Sequence, residues 1–264
     1  MLGAIAGDII GSIHEFGPPA VPGTPLIQTH SHYTDDTVLT LATVRCLLDG
    51  IDYAKAYREA YQANREQSWG LRFKQWGDNP EMGPYNSFGN GSAMRVSPIG
   101  FHAPTLDQAL AEARRSAVVT HDHPEGIRGA QATAHAIFLA RNGTSGDAIL
   151  HAIRTDHGYP LDEPVPVIQR TSRYNEICQG TVPPAIRIAC DATSFEEAMA
   201  ICITLDADTD TLACIAGGIS EARFGVPDWI KTAVRNRLKP AQWALIERFF
   251  DTTGVVGSAG VSAV

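Results

Sequence analysis

Hydrophobic and polar residues recur along this chain mainly with the period of an α-helix. In the segment TLDQALAEARRSAVV, Thr105 and Gln108 have the spacing of a capping box, and the apolar residues that follow share one helical face. Ser194 and Glu197 repeat this spacing before the apolar stripe of SFEEAMAICITL. Both segments are therefore predicted to be helices that begin at a hydroxyl cap and bury one face.

Further helices follow from the same period. GIRGAQATAHAIFLARNG is predicted to be a long buried helix ending at Asn142 and Gly143, and DDTVLTLATVRCLLDG is predicted to end at Gly50. Strand-like alternation is weak, and the nearest candidate, PVPVIQ, contains prolines that a β-ladder disfavours. The sequence predicts an all-α fold, a compact orthogonal multi-helix bundle, with its other helices near residues 53–67, 145–157, 183–190, 209–222 and 234–250.

Two long segments interrupt the helical pattern. Residues 15–33 and 76–92 are rich in glycine, proline and asparagine, and long loops within a compact domain often carry function. No repeat or shift of composition marks a boundary, so residues 1–251 are predicted to form one domain. The small-residue segment 252–264 is predicted to be a flexible tail.

Composition narrows the class of protein. Among the 264 residues, 21 basic and 29 acidic side chains give a net charge of −8, which argues against general nucleic-acid binding. Five cysteines without a CxxC pair are expected to be core thiols in a reducing compartment. The apolar N-terminal segment has no basic region, and no apolar run is long enough to span a membrane. We expect a cytoplasmic monomer with no membrane partner.

Acidic residues concentrate at two predicted helix starts. Thr34, Asp35 and Asp36 open one helix, where a threonine cap followed by acids also suits the helix dipole without any further function. The segment LDADTDT then places three aspartates at alternate positions before Thr211, which exceeds what a cap requires.

A divalent metal site is one explanation for these carboxylates. If the two helix starts face each other, the carboxylates cannot all stay ionised without cations. Carboxylate and hydroxyl oxygens suit Mg²⁺ or Mn²⁺, whereas a zinc site would be expected to contain histidine or cysteine. From the spacing alone, a metal site and two ordinary helix caps remain equally open.

Five motifs in one order make the pattern specific. GDIIGSIHEF, TDDT, GNGSAMRVSPIGF, THDHPEG and DTDTLACIAGGISEA together resemble the ADP-ribosylglycohydrolase family, which includes the dinitrogenase-reductase-activating glycohydrolases. The resemblance runs from Gly3 to about Pro227 and implies an all-α fold with a central dinuclear cleft holding two Mg²⁺ or Mn²⁺ ions. It implies metal ligands at Thr34, Asp35, Asp36, Asp208, Asp210 and Thr211.

The resemblance also implies residues for substrate and catalysis. Glu15 matches an acid on a mobile loop near the metals, and the catalytic carboxylates are expected among Glu15, Asp35 and Asp36. Glycines allow backbone N–H groups to approach a pyrophosphate, although a sequence such as FGNG is also an ordinary turn. The residues expected to bind ADP-ribose are Ser87, Phe88, Gly89, Asn90, Gly91 and His121.

Several nearby residues depart from the family pattern or stay ambiguous. Asp206 and Ala207 stand where relatives commonly have two glycines, and Asp206 is expected either to assist a metal ligand or to point to solvent. Asp122 adds a polar group beside His121. Arg95 follows the glycine-rich loop and is expected either to contact phosphate or to be structural.

The resemblance implies a metal-dependent hydrolase that releases ADP-ribose from an acceptor on a protein or small molecule. Arginine is the favoured acceptor by analogy, with serine, a nucleobase or a small ADP-ribose derivative as alternatives. An HD-type metal phosphohydrolase is a second alternative and would need further metal-binding histidines, for which His135 and His151 are the candidates. A non-catalytic ADP-ribose binder is a third.

Overall fold

Residues 1–254 are described by a computed structural model, and within them the chain forms helices joined by loops, with no strand. The one β-bridge in this range pairs Gly89 with Ile177. The all-α prediction is therefore confirmed. The helices are α1 Leu2–Gly11, α2 Asp35–Asp49, α3 Tyr53–Ala63, α4 Leu71–Asp78, α5 Gly91–Met94, α6 Ser97–His102, α7 Leu106–Val118, α8 Pro124–Arg141, α9 Gly146–His157, α10 Val165–Thr171, α11 Cys178–Asp191, α12 Phe195–Cys202, α13 Thr209–Phe224, α14 Asp228–Arg235 and α15 Pro240–Thr253.

The centre of the bundle is the close pairing of α1 with α13. Every residue of α1 is buried, and α13 is buried from Thr209 to Ser220. A Cβ on Gly7 would overlap the carbonyl oxygen of Ala213, and one on Gly11 would overlap the backbone of Asp210. These glycines therefore allow α1 to lie directly against the N-terminal half of α13.

The predicted caps and helix ends are confirmed where the sequence signal is local. The hydroxyl of Thr105 accepts a hydrogen bond from the Gln108 N–H at 3.3 Å, and that of Ser194 accepts one from the Glu197 N–H at 3.0 Å. Helix α8 ends with Asn142 as its cap, and α2 ends at Gly50, whose φ of 67° suits glycine.

Other helix boundaries differ from the prediction. The single helix predicted over 234–250 is wrong, because α14 ends at Arg235 and α15 begins at Pro240, whose ring suits the first turn of a helix. The segment PVPVIQ begins α10 for the same reason. The short helices α4, α5 and α6 were not expected, since each is too brief to show a helical period.

The predictions about the cysteines and about the C-terminal tail have different outcomes. All five cysteines are buried and unpaired, as expected for core thiols. Helix α15 runs to Thr253, two residues into the predicted tail, while residues 255–264 lie outside the described part of the chain. Within residues 1–254, no helix is both long and apolar enough to cross a membrane.

Candidate active site

The N-termini of α2 and α13 meet at one cavity, so the two acidic helix starts face each other. The hydroxyl of Thr211 lies 3.3 Å from a carboxylate oxygen of Asp36, to which it donates a hydrogen bond across the two helices. The cavity has a volume of about 460 Å³. It is lined by every predicted site residue except Thr34 and Phe88, namely Glu15, Asp35, Asp36, Ser87, Gly89, Asn90, Gly91, His121, Asp208, Asp210 and Thr211.

Asp8 of α1 fixes the first turn of α2, a role that the sequence alone did not indicate. Its carboxylate accepts hydrogen bonds from the Thr34 N–H at 3.0 Å, the Thr34 hydroxyl at 2.9 Å and the Thr37 N–H at 3.0 Å. The Thr37 hydroxyl donates a fourth. Asp8 is fully buried. Its position as a lone acid inside an apolar helix is the sequence signal that could have identified it.

Thr34 therefore acts first as a helix cap in this structure. Its hydroxyl accepts a hydrogen bond from the Asp36 N–H at 3.3 Å while it donates to Asp8. Its predicted role as a metal ligand stays a prediction.

The carboxylates of the cavity raise one another's pKa values. Glu15, Asp208 and Asp210 each offer an oxygen within 4.8 Å of the other two. Burial, followed by the charge of Asp210, raises the pKa of Glu15 and of Asp35 to about 8. The same causes raise the pKa of Asp36 and of Asp208 well above the ordinary range. This arrangement is electrostatically unfavourable when all the acids are ionised.

The donor set fits a hard divalent cation. Within the described chain, the cluster of potential metal-binding side chains contains carboxylates only. One carboxylate oxygen of Asp36 is buried and has no hydrogen-bond donor, which leaves it free to bind a cation. Oxygen ligands of this kind are those that Mg²⁺ and Mn²⁺ prefer.

Asn90 connects the glycine-rich loop to the acidic cluster, by which we mean the cavity carboxylates of Glu15, Asp35, Asp36, Asp208 and Asp210. Its amide nitrogen donates to a carboxylate oxygen of Asp208 at 2.7 Å and to the hydroxyl of Thr181 at 3.0 Å. Both amide hydrogens are therefore used within the protein. Asn90 still lines the cavity, and its carbonyl oxygen remains available to a ligand.

His121 faces the glycine-rich loop. Burial and the charge of Arg95 hold the pKa of His121 well below its usual value, so the imidazole is neutral near pH 7. Its Nδ1 lies 2.7 Å from the Thr120 hydroxyl, and its Nε2 would lie 3.3 Å from a Cβ on Gly91. Glycine at position 91 therefore leaves room for the ring against the loop.

Phe88 does not line the cavity. It is 43% exposed, and its ring centroid lies 5.2 Å from that of His123. Tyr85, by contrast, is buried and lines the cavity, with its ring centroid 6.0 Å from that of His121. Tyr85 is therefore one of the aromatic residues that line the cavity, and the one beside His121, while a role of Phe88 in binding stays a prediction.

The cavity wall around Tyr85 carries positive charge. The guanidinium of Arg72 lies 5.2 Å from the Tyr85 ring centroid. Arg95 is fully buried, and it donates to the Ser116 carbonyl at 2.8 Å and to the Thr120 hydroxyl at 2.9 Å. Both arginines line the cavity, so it presents cations near Tyr85 and carboxylates at the two helix starts.

The residues that depart from the family pattern do not line the cavity. Asp206 is exposed and does not line the cavity. A carboxylate oxygen of Asp122 accepts a hydrogen bond from the Asn86 N–H at 2.6 Å, and so holds the loop that leads to Ser87.

The chain belongs to the ADP-ribosylglycohydrolase family, whose model matches residues 1–258. Mouse ADP-ribosylhydrolase ARH3 is 27% identical over 86% of this chain and 83% of its own length. ADP-ribosylarginine hydrolase Tri1 of Pseudomonas putida is 25% identical over 88% of this chain and 72% of its own length. The fold matches that of an ADP-ribosylglycohydrolase-related protein with a TM-score of 0.72, 23% identity and 96% and 97% of the two chains covered.

The family match confirms the resemblance and removes support for an HD-type phosphohydrolase. His135 pairs with His157, with 3.0 Å between their ring nitrogens, and His151 is exposed. Neither His135 nor His151 lines the cavity, and no histidine joins the group of potential metal ligands within residues 1–254.

Proposed function

We propose that the chain hydrolyses the glycosidic bond between ADP-ribose and an arginine side chain, with two Mg²⁺ or Mn²⁺ ions bound at the acidic cluster. The observation that carries this proposal is the shared cavity, in which buried carboxylates of α2 and α13 face a glycine-rich loop. Family membership supports the reaction class, and the Tri1 relative supports arginine as the acceptor.

The metal-binding residues would be Thr34 and Thr211 together with the four aspartates of the two helix starts, Asp35, Asp36, Asp208 and Asp210. Bound divalent cations supply Lewis acidity and neutralise the carboxylates. Asp8 and Asn90 hold this set in place, because Asp8 fixes the first turn of α2 and Asn90 donates to Asp208.

The rest of the cavity suits ADP-ribose. The glycine-rich loop and the wall around Tyr85 would receive the diphosphate, since Arg72 and Arg95 supply positive charge there. The neutral imidazole of His121 can donate or accept a hydrogen bond at its Nε2. This placement directs the distal ribose toward the carboxylates of the two helix starts.

The carboxylates would also move protons. Asp35 and Asp36 would accept a proton from the attacking water, and Glu15 would supply one to the leaving acceptor. Glu15 is half-buried, lines the cavity and follows α1 on a loop, which supports this role for it.

The test compares Asp210→Asn with Asp206→Asn, which removes the same charge from an exposed residue outside the cavity. With an arginine-linked ADP-ribosyl peptide and Mg²⁺, Asp210→Asn is expected to lower the rate of ADP-ribose release at least about 100-fold. Asp206→Asn is expected to retain the wild-type rate. Near-normal release by Asp210→Asn, with its fold confirmed by circular dichroism, would contradict the proposed mechanism.

A further inference from the structure

Two segments form one side of the cavity mouth. Of their residues, only Glu15 has a role in the proposed hydrolysis. The loop after α1 contributes Glu15 and Phe16, and the segment between α10 and α11 contributes Glu176, all of which line the cavity. Phe16 is 79% exposed and Tyr174 is 39% exposed, with their ring centroids 6.4 Å apart. Phe16 and Glu176 therefore line this side of the cavity, and the Tyr174 ring lies against that of Phe16.

Glu176 is held at a fixed position relative to the reacting end of the cavity. Its carbonyl oxygen accepts a hydrogen bond from the Asn90 N–H at 2.9 Å, and the adjoining Cys178 N–H donates to the Phe88 carbonyl at 3.0 Å. The backbone of Asn90 therefore holds Glu176, while the side chain of Asn90 holds Asp208. The position of the Glu176 segment is thus coupled to that of a predicted metal ligand.

The Glu176 side chain is also oriented. One of its carboxylate oxygens accepts a hydrogen bond from the Tyr174 hydroxyl at 2.8 Å. No lysine or arginine within residues 1–254 forms an ion pair with Glu176, and this exposed residue lines the cavity, so its charge is available to a cationic ligand there. Its second carboxylate oxygen remains free to accept hydrogen bonds from a ligand.

The geometry points to Glu176 as the residue that selects a guanidinium acceptor, oriented by Tyr174 and flanked by Phe16. A guanidinium is a flat cation that pairs with carboxylates and stacks on aromatic rings, and this side of the mouth offers both. A serine acceptor is neutral and gains nothing from the carboxylate, so Glu176 discriminates between the two linkages. The inference rests on the proposed function and adds the residues that choose the acceptor.

The test measures kcat and KM for arginine-linked and serine-linked ADP-ribosyl peptides of otherwise identical sequence. For the arginine-linked peptide, Glu176→Gln is expected to raise KM roughly tenfold, the loss typical of one charge-assisted hydrogen bond. For the serine-linked peptide, the KM of Glu176→Gln is expected to stay within about twofold of the wild-type value. Tyr174→Phe, which removes the orienting hydroxyl, is expected to shift KM in the same direction by a smaller factor.

Glu81→Gln is the matched control, since Glu81 is exposed and lies outside the cavity. It is expected to leave both KM values unchanged. Affinity for free ADP-ribose, which lacks an acceptor, is expected to be the same in Glu176→Gln and wild type.

The possible outcomes separate this inference from the proposed function. If wild type releases ADP-ribose from neither peptide, the proposed function fails and the inference fails with it. If wild type releases ADP-ribose and Glu176→Gln changes both peptides equally, or neither, ADP-ribosyl hydrolysis stands and the role of Glu176 is overturned. Faster wild-type hydrolysis of the serine-linked peptide would likewise overturn selection of a guanidinium.

Discussion

The amide nitrogen of Asn90 lies 2.7 Å from a carboxylate oxygen of Asp208, and this contact joins the glycine-rich loop to the acidic cluster. The two residues are 118 positions apart in the chain. A loop that would bind ADP-ribose and a carboxylate that would bind a cation are therefore parts of one hydrogen-bonded unit.

Asn90→Ala is expected to weaken metal binding, because Asp208 loses the donor that orients it. Such outer contacts to a metal ligand are commonly worth 10- to 100-fold in metal affinity, so the Mg²⁺ concentration for half-maximal activity should rise about tenfold or more. The measurement is ADP-ribose release as a function of Mg²⁺ concentration. Thr181→Val removes only the second partner of Asn90 and should raise this Mg²⁺ concentration less. Equal Mg²⁺ dependence in Asn90→Ala and wild type would contradict the role of Asn90 in orienting Asp208.

Asp8→Asn is expected to destabilise the fold, because an asparagine amide cannot accept all the hydrogen bonds that Thr34 and Thr37 donate to Asp8. Leaving buried donors unsatisfied costs about 3 kcal/mol, measurable as a lower free energy of unfolding in urea. Asp107→Asn alters an exposed acid in the first turn of α7 and should change this free energy by less than about 0.5 kcal/mol. Equal effects in the two variants would contradict a special role for Asp8.

The metal-free protein is expected to lose stability as the pH rises. Burial and the charge of Asp210 raise the pKa of Glu15 and of Asp35 to about 8 in the folded chain, above the ordinary value near 4 in the unfolded chain. An acid with a raised folded pKa stabilises the fold fully below its unfolded pKa, and this stabilisation is lost as pH rises through the folded pKa.

The measurement is Tm in the presence of a chelator between about pH 6 and about pH 9, across the folded pKa values. Tm should fall over this range, and millimolar Mg²⁺ should reduce the fall because a bound cation favours the ionised acids. Asp210→Asn should also show a smaller fall, since it removes a charge that raises both pKa values. A metal-free Tm that rises with pH over this interval would contradict the account.

The fold was predictable where the determining interactions are local. Thr105 and Ser194 cap helices through N–H groups three residues away, so their spacing was visible in the sequence. The break between α14 and α15 was missed because the apolar pattern continues across it, and Pro240 alone marks the new start. Helices α4 to α6 are too short to show a period and are set by their packing.

The carboxylates of the site were predictable from the sequence, whereas the residues that hold them in place were not. The carboxylates of the two helix starts lie in short motifs, and the structure places them on one cavity. The role of Asp8 was missed because its partners, Thr34 and Thr37, lie 26 and 29 positions further along the chain. The contact of Asn90 with Asp208 depends in the same way on how α5 and α13 pack, which a single sequence does not show.

The most direct test of the account is whether hydrolysis of an arginine-linked ADP-ribosyl peptide depends on the divalent cation. The wild-type chain is stripped with a chelator, and free ADP-ribose is then measured by chromatography before and after Mg²⁺ or Mn²⁺ is restored. No release is expected from the stripped protein, and release should recover when the cation is restored. Undiminished release from the fully stripped protein would contradict it.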